Sequence, residues 1–479
     1  MGVFDSPVST FEALLGRHAW IAEVAGILPL SALIEFIDIP EKLHIFQLTG
    51  AVPLWSWPIT PSGSRLLLSD QYPEQECYFD RYGKSMALLA VDGQFGEHYT
   101  VHNPETVRQC LATQTQHIIS NPHEDMSAFD PRIRNLEFVH VVRLGEKESH
   151  PSDRTWLCDL FTRSGASTSL RYLVVSTFGW GILFGMIVMS AILRSYLSLA
   201  FLATVLGTGL VTFSLHGRQP RRLLAPYHSS YNRLVLVTEH VYSANWTAFY
   251  GESTIVSALL QRPLEHGGPR PSQFVARCLF MVLRILILGQ WALVIGAAAL
   301  KSWDAYFTTF WITFCILSHA YLIPPRIILK SWMRYSAGIQ IKRFTTRISS
   351  ERALLNTIIA LNPGTFSLLK ENCEDRTKFN RDGIKWLDSI LAPSFNRSRW
   401  EEATREAMNA AAERYPDDET LVMQMRQDKD GHSLGSAWNS TYPTGLKNYW
   451  KPYILEGIYM AAKLRFEAKA SGRKLPMNI

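Results

Sequence analysis

Two ionisable side chains lie inside long apolar stretches and are the clearest candidates for chemistry in this sequence. Arg284 lies in the stretch 278–300, and His319 lies in the stretch 305–323. A charge is costly in lipid, so such a residue marks a substrate-binding or proton-transfer group unless it reaches water or a partner. Both residues lie within about two helical turns of the same end of their paired stretches, which allows their side chains to reach the interface. The spacing therefore favours structural pairing or interfacial contact, with a catalytic role as the alternative.

Motifs for the common cofactors and metals are absent from the sequence. It contains no GxxxxGK[ST], GxGxxG, GxSxG or HExxH motif, which removes the usual nucleotide-driven and zinc-driven classes of enzyme. The six cysteines form no CxxC pair, and no cysteine or acid cluster joins His98 and His102 at ligand spacing. The sequence thus predicts no cofactor and no metal site. A membrane enzyme with dispersed catalytic residues stays an open alternative.

Three Asn-X-Ser/Thr sequons begin at Asn245, Asn396 and Asn439. A sequon of this kind is an acceptor for N-linked sugar in secreted or lumenal regions. Whether the three asparagines are modified is therefore decided by the topology of the chain.

Four charge-poor stretches position these residues. Charged residues make up 19% of the 479-residue chain, and they avoid the stretches 172–193, 195–215, 278–300 and 305–323, apart from Arg284. Each stretch is close to the roughly 20 residues that a helix needs to cross a hydrocarbon core about 30 Å thick. Arg194 alone joins the first two stretches, and 301–304 joins the second two. The sequence therefore predicts a membrane α-helical fold with four transmembrane helices in two hairpins.

Basic residues indicate the orientation of these stretches. The segment 216–277 carries seven arginines against three glutamates, whereas the two short turns carry one basic residue each. Basic residues near the ends of membrane spans stay on the cytosolic side. The N-terminal region 1–171, the segment 216–277 and the C-terminal region 324–479 are therefore predicted to be cytosolic, and with them both chain termini. The two hairpins comprise residues 172–215 and 278–323, and the sequence does not identify the membrane in which they lie. Because all three sequons fall in predicted cytosolic regions, they are predicted to be unmodified.

The regions outside the apolar stretches have secondary-structure signals of their own. The N-terminal region is predicted to be mixed α/β, and the C-terminal region is predicted to be helical. The predicted strands are 64–70, 86–91, 99–101, 138–144, 233–242 and 245–250. The predicted helices are 104–114, 252–260, a basic helix at 326–359, a helix that starts with the capping box 398–401, and a final helix at 449–470.

The partners of the chain follow from its charges and its small residues. The formal net charge is +6, and the basic clusters flank the apolar stretches, so the lipid bilayer is the predicted partner and nucleic acid is not. The cations of the predicted 326–359 helix favour anionic lipid headgroups. Gly181 and Gly185 are four residues apart, a spacing that suits close helix packing within a hairpin, in a homo-oligomer or against another membrane protein.

Three stretches of the sequence carry a resemblance to a known family. They are 245–251 (NWTAFYG), 283–291 (LRILILGQW) and 449–457 (YWKPYILEG). They resemble predicted multi-pass membrane proteins of filamentous fungi, a family of unknown function, and the likeness runs from Arg154 to the end of the chain. Some members of that family are encoded near natural-product gene clusters, so the resemblance implies an accessory role in specialised metabolism. It supplies no catalytic residue.

Taken as a whole, the sequence favours a non-catalytic role, that of a membrane-anchored accessory or scaffold protein. The first alternative is a membrane-bound enzyme that acts on a lipophilic biosynthetic intermediate, with Arg284 and His319 at a cavity that faces the cytosol. The second alternative is a transporter subunit. The low polarity of the apolar stretches argues against an autonomous pump.

Overall fold

The computed structural model contains two compact units, each assembled from three separated segments of the chain. The helical unit comprises residues 1–84, 145–223 and 263–338, and the sheet unit comprises residues 85–144, 224–262 and 339–479. The chain therefore leaves the sheet unit twice and returns to it twice. The structure describes residues 10, 13, 17–32, 44–45, 48–49, 87–122, 133–144, 166–216, 220–224, 227–240, 242–266, 272–318, 321, 325–365, 381–415, 417–425 and 446–473.

The helical unit is built from helices whose sequences are mostly apolar. Its described helices are α1 (Ala19–Ala32), α3 (Ala166–Ile192), α4 (Tyr196–His216), α6 (Gln273–Leu300), α7 (Trp303–Leu317) and α8 (Pro325–Tyr335). A two-stranded antiparallel ribbon of β5 (Arg221–Arg222) and β8 (Glu265–His266) belongs to the same unit. The core of the unit includes large side chains from four helices: Leu183, Phe201, Val294 and Trp311.

Two residues with left-handed backbone make the turns between these helices. Arg194, between α3 and α4, has φ 55°, and Lys301, between α6 and α7, has φ 49°. A left-handed residue at a helix C-terminus lets the chain change direction within one residue. Ser302 then caps α7, because its side chain accepts a hydrogen bond from the backbone N–H of Asp304. The chain thus turns at the two positions where the sequence predicts turns.

The predicted fold class, a membrane α-helical protein with four transmembrane helices, is wrong. The chain has a seven-stranded mixed sheet, and among the described residues a single helix, Phe274–Leu300, is long and apolar enough to cross a membrane. The apolar stretches Thr177–Ile192 and Tyr196–Thr212 are shorter than a span requires. The helix α7 has 15 residues, which corresponds to about 22 Å at 1.5 Å per residue. The predicted stretches 172–193, 195–215 and 278–300 do coincide with helices α3, α4 and α6, and the fourth stretch contains the shorter α7.

The sheet unit is organised around the seven-stranded sheet. Its strand order is β2-β1-β6-β7-β4-β9-β3, in which β4 pairs with β7 in parallel and β3 pairs with β9 in parallel, while the other neighbours are antiparallel. The strands are β1 (Leu89–Asp92), β2 (His98–Thr100), β3 (Gln116–Ile118), β4 (Arg134–Arg143), β6 (Asn232–Thr238), β7 (Asn245–Glu252) and β9 (Ile339–Ile348). The helices are α2 (Pro104–Ala112), α5 (Ser253–Leu260), α9 (Glu351–Leu361), α10 (Phe395–Arg414), α11 (Asp418–Met425) and α12 (Leu446–Arg473).

Side-chain alternation along the strands gives the sheet two covered faces. On one face, Phe138, Trp246 and Phe344 join a core with α9, α10, α11 and α12. On the other face, Arg233 hydrogen-bonds Ser257 of α5, and Arg343 hydrogen-bonds the carbonyl of Leu111 of α2. Residues of opposite parity in a strand point to opposite faces. The sheet unit is therefore a three-layer α/β structure, and this differs from the predicted all-helical C-terminal region.

The strand β9 lies within the stretch predicted as one basic helix, 326–359, and that prediction is wrong. The helix α8 ends at Tyr335, and Gly338 has φ 63°, a conformation that favours glycine and ends a helix. The next residues alternate buried and more exposed side chains along β9, as a half-buried strand does. Strands also overlap the predicted ranges 86–91, 99–101, 138–144, 233–242 and 245–250, while the predicted strand 64–70 lies outside the described residues.

Candidate functional site

Of the two candidate residues in the apolar stretches, the structure describes Arg284 but not His319. Arg284 is half-buried on α6, and its Nη1 lies 4.0 Å from Sδ of Met281 on the same helix. His319 lies outside the described residues, so its predicted pairing with Arg284 stays a prediction. One polar pair does lie in the interior, where Nε2 of Gln290 on α6 donates to Oγ1 of Thr208 on α4 at 2.7 Å.

A second polar group in the helical unit joins the two helix turns. One carboxylate oxygen of Asp304 accepts from the backbone N–H of Ser198 at 2.9 Å, and the other accepts from the hydroxyl of Ser302 at 3.0 Å. Ser198 also hydrogen-bonds Ser190. These hydrogen bonds satisfy groups at helix ends, so this network holds the helices and is not a site.

Two of the three sequon asparagines are described, and both are exposed. Asn245 begins β7, and its side-chain oxygen accepts from Nδ2 of Asn135 at 2.8 Å. Asn396 lies in the first turn of α10. Asn439 lies outside the described residues. Exposure would permit modification at the first two positions, so the predicted unmodified state of the sequons stays a prediction.

The carboxyl ends of the parallel strands β4 and β7 carry charged groups that neutralise each other. Arg143 at the end of β4 binds Glu252 at the end of β7 through two contacts of 2.9 Å. The fully buried Asp92 at the end of β1 accepts from Nε of Arg233 at 2.7 Å. Ligands of open α/β sheets bind beyond such strand ends. These two pairs, however, are satisfied within the protein and leave no charge for a ligand.

A row of three polar side chains crosses the same end of the sheet on its other face. His140 of β4 pairs with Lys342 of β9 and with Tyr250 of β7. Side chains directly opposite each other on paired strands lie close together, and the rings of His140 and Tyr250 are 5.6 Å apart. We refer to Lys342, His140 and Tyr250 as the cross-strand row. Phe138, one position earlier on the same face of β4, stacks on His140 at 6.5 Å.

The electrostatics of the row set it apart from the paired charges. Burial, and secondly the charge of Lys342, lowers the pKa of His140 to about 4, so this imidazole is neutral at pH 7. Burial also lowers the pKa of Lys342. Nδ1 of His140 is buried and has no hydrogen-bond partner within the described residues. A neutral imidazole therefore stands beside an ammonium group.

The charges next to the row are dominated by cations. Asp418 of α11 binds Arg465 at 2.8 Å and Lys469 at 3.2 Å, both from α12. Burial tends to raise the pKa of Asp418, but the two cations outweigh it and the net shift is downward. Arg465 also acts on Tyr250, whose pKa is raised by burial. Arg465 and Asp418 thus both act on the Tyr250 end of the row.

The cross-strand row was missed from the sequence for a definite reason. Lys342 was assigned to a basic helix, and a helix cannot place it opposite His140. The alternation of isoleucines in 339–348 was the signal for a strand, and the row follows only once the register of β9 with β4 is known.

Neither metal ligands in the described part of the chain nor known relatives identify a site. Among the described residues, no group of three or more His, Cys, Asp or Glu side chains is placed to hold a metal ion. No family model, no curated protein and no solved structure matches this chain. The resemblance to the fungal membrane family therefore stays a prediction.

Proposed function

We propose that this protein is a membrane-anchored accessory or scaffold protein. In this proposal the helical unit is embedded in a lipid bilayer, and the sheet unit is a folded platform in water. The surface of α6 carries the proposal. Phe274–Leu300 has a mean hydropathy of 2.3, yet only 22% of its apolar window is buried. A helix that is apolar on all sides belongs either in a protein core or in lipid, and the low burial favours lipid.

The exposed apolar surface of α6 is continuous along the helix. Met281, Ile285, Leu288 and Ile295 are all exposed, and they extend over about 21 Å of helix at 1.5 Å per residue. Water-soluble monomers rarely expose apolar patches of more than a few hundred square ångströms. An exposed strip of this length is costly in water and favourable in hydrocarbon.

The neighbouring helices repeat this inverted pattern. Phe184 on α3, Leu210 on α4 and Phe310 on α7 are exposed, whereas Gln290 and Thr208 are buried against each other. Polar groups inside and apolar groups outside is the arrangement expected where lipid replaces water as the solvent. The pattern supports a lipid-embedded unit without requiring that each of these helices crosses the bilayer.

The connectivity of the sheet unit restricts the proposed topology. Its strands come from before 145, between 223 and 263, and after 338, and they form one hydrogen-bonded sheet. An open sheet cannot lie across the hydrocarbon core, so all of these segments share one side of the membrane. A crossing by α6 therefore requires a return within 301–338, which the 15-residue α7 does not make alone, and the proposed anchor is multi-pass.

The basic face of α8 supports a cytosolic side for the sheet unit and the C-terminus. Arg326, Lys330 and Arg334 are exposed and four residues apart, so they form one stripe along the helix. On the other side of α8, Trp332 is buried, and its Nε1 donates to the carbonyl of Arg221 at 2.8 Å. The stripe is thus presented by an anchored helix. We assign anionic headgroups of the cytosolic leaflet as its partner, because clustered cations beside a membrane attract them.

The helix α1 bears on the predicted cytosolic position of the N-terminus. Lys301 at the far end of α6 binds Glu23 at 2.8 Å, and the hydroxyl of Tyr306 donates to the carbonyl of Ile21 at 2.8 Å. With α6 across the membrane, Lys301 lies on the side opposite to Gln273. The proposal therefore places α1 at the non-cytosolic end of α6 and keeps the C-terminus cytosolic.

Alkaline carbonate extraction of membranes tests the proposed anchoring. Proteins held by lipid contact stay in the pellet at high pH, whereas proteins held by charge alone are released. We expect the full-length chain to stay in the pellet and to be released by detergent. Recovery in the alkaline supernatant would contradict the proposal.

Metabolite profiles of a deletion strain distinguish the scaffold from its alternatives. An accessory protein without catalytic groups lowers the flux of a pathway without accumulation of one precursor. Accumulation of a single precursor would favour the enzyme, and intracellular retention of an end product would favour the transporter subunit.

A further inference from the structure

The cross-strand row contains a cation that has no partner among the described residues. Lys342 makes no hydrogen bond or ion pair with them, whereas Arg343, the next residue of β9, binds Glu137. Lys342 is half-buried, and burial without a partner is costly for a charge. The opposite residue in the register is His140, which carries no negative charge at any pH. The described sheet therefore holds a partly desolvated ammonium group without a counter-ion.

The imidazole of His140 adds a hydrogen-bond donor beside this ammonium group. Its Nδ1 is buried without a partner in the described residues, and an unpaired buried N–H is rarer than an unfilled acceptor. This assigns the proton of the neutral ring to Nε2. Nε2, in contrast to Nδ1, is not a buried atom without a partner. The N–H donor of His140 is therefore directed toward the accessible side of the row.

The described groups that face the row from packed elements do not supply the missing anion. They are Asp418 of α11 and Arg465 of α12, which both act on Tyr250. Asp418 is occupied by both cations of α12. Glu252, further along β7, is occupied by Arg143. These two acids are thus already paired.

We propose that Lys342 and His140 bind the oxyanion group of a small organic ligand, a carboxylate or a phosphate, with the Tyr250 ring beside it. The ammonium group supplies the charge and Nε2–H supplies a directed hydrogen bond, which together match a carboxylate or phosphate oxygen pair. The half-buried ring of Tyr250 gives the ligand an apolar surface next to its charged group. This site lies in the sheet unit and goes beyond the proposed membrane anchoring.

Histidine NMR on the full-length chain in detergent micelles tests this site. The chain contains 14 histidines, and comparison with His140→Gln assigns the signal of His140. Inorganic phosphate and benzoate are the two probes, because they separate a phosphate ligand from an aromatic carboxylate. We expect at least one probe to move the His140 signal saturably and to raise its pKa from about 4, since a bound anion stabilises the imidazolium.

Variants of lysine separate this site from unspecific anion effects. Lys342→Met should weaken the binding of the effective probe by about tenfold or more, the loss expected when a charge-assisted hydrogen bond is removed. Lys342→Arg keeps the charge and should retain binding. Lys330→Met removes an exposed lysine of α8 and should have no effect.

Three outcomes would overturn the proposal. The first is that neither probe moves the His140 signal. The second is that Lys342→Met and Lys330→Met bind the effective probe equally well. The third outcome applies if Lys342→Met does not fold: a folded Lys342→Arg variant that has lost binding would then contradict the proposal.

Discussion

The helical unit and the sheet unit place the same kinds of side chain in opposite positions. In the sheet unit, Phe138 and Trp386 are buried, and charged pairs such as Arg143 with Glu252 lie at the ends of strands. In the helical unit, Phe184 and Leu288 are exposed, and Gln290 is buried. The proposed anchoring accounts for this difference, with water around the sheet unit and lipid around the helical unit.

Both units contain buried polar groups that are paired within the protein, so the contrast lies in the apolar surface. Gln290 donates to Thr208 in the helical unit, and Arg233 donates to Asp92 in the sheet unit. Buried polar groups need partners in either solvent. The distribution of exposed apolar side chains is therefore the feature that separates the units, and it is the feature to perturb.

The largest expected effect comes from charges on the apolar face of α6. The double variant Ile285→Lys/Leu288→Lys places two cations on the exposed side of the helix. Insertion of a lysine near the middle of a bilayer costs roughly 2.5–3.5 kcal/mol. We expect the variant to be lost from the alkaline-resistant membrane pellet. The matched control is Ile118→Lys/Phe395→Lys, which changes exposed apolar residues of the sheet unit and should leave membrane retention unchanged. Equal behaviour of the two double variants would remove the distinction between the units.

A core truncation in the sheet unit should have the next largest effect. Trp386 is fully buried in the main core of this unit, and Trp386→Ala is expected to cost about 3–5 kcal/mol through the cavity it leaves. The variant should become sensitive to limited proteolysis in the sheet unit while it stays in the membrane pellet. Simultaneous loss of retention would show that anchoring depends on the sheet unit.

How far the sequence determines these features differs between the units. The apolar stretches were located correctly as helices, and the turns at Arg194 and Lys301 were recognised. Both are local signals, because they depend on hydropathy and on the basic residues that interrupt the apolar sequence. The number of membrane spans was not predictable in this way, because an apolar stretch of about 20 residues forms a helix either in lipid or inside a protein core. Strands with local alternation, such as β6 and β7, were also recognised.

Features that depend on distant pairing were not predictable. The strand β9 pairs with β4, about 200 residues earlier in the chain, and its basic residues resembled a membrane-flanking helix.

The cap of α10 shows the same effect on a small scale. The capping box predicted a start at Ser398, but Ser394 caps the helix and accepts from the backbone N–H of Arg397. Arg397 also binds Asp388 and Glu401 through its side chain, and the pair with Asp388 ties the helix to the segment before it.

A pH effect of intermediate size is expected from His140 in the sheet unit. Its pKa is lowered from 6.5 to about 4 in the folded chain, so the unfolded chain binds more protons between these values. The stabilising contribution is complete above pH 6.5 and is lost as the pH falls toward 4, by roughly 2 kcal/mol after allowance for partial exposure. Chemical denaturation of the wild type and of His140→Gln at pH 7.5 and 4.5 measures this. A variant with the same pH slope as the wild type would contradict the assignment.

The smallest effects are expected for single polar groups of the helical unit. Gln290→Leu removes the hydrogen bond to Thr208 and should cost about 0.6 kcal/mol, the average for such bonds between membrane helices. Arg284→Leu should have still less effect, because Arg284 is only half-buried and leucine is favourable in hydrocarbon. Thermal unfolding in micelles measures both. Loss of the strain phenotype in Arg284→Leu at normal abundance would favour the enzyme alternative.

Fluorescence quenching on reconstituted protein tests most directly whether the two units face different solvents. A fluorophore is attached at Leu288→Cys on α6 or at Ile118→Cys on β3, two positions that are 60% and 83% exposed. Each is quenched in turn by a nitroxide carried on the lipid acyl chain and by iodide in the aqueous phase. With lipid around the helical unit and water around the sheet unit, the lipid nitroxide quenches the probe at Leu288 and iodide quenches the probe at Ile118. Quenching of the probe at Leu288 by iodide alone would show that α6 faces water and would contradict the proposed anchoring.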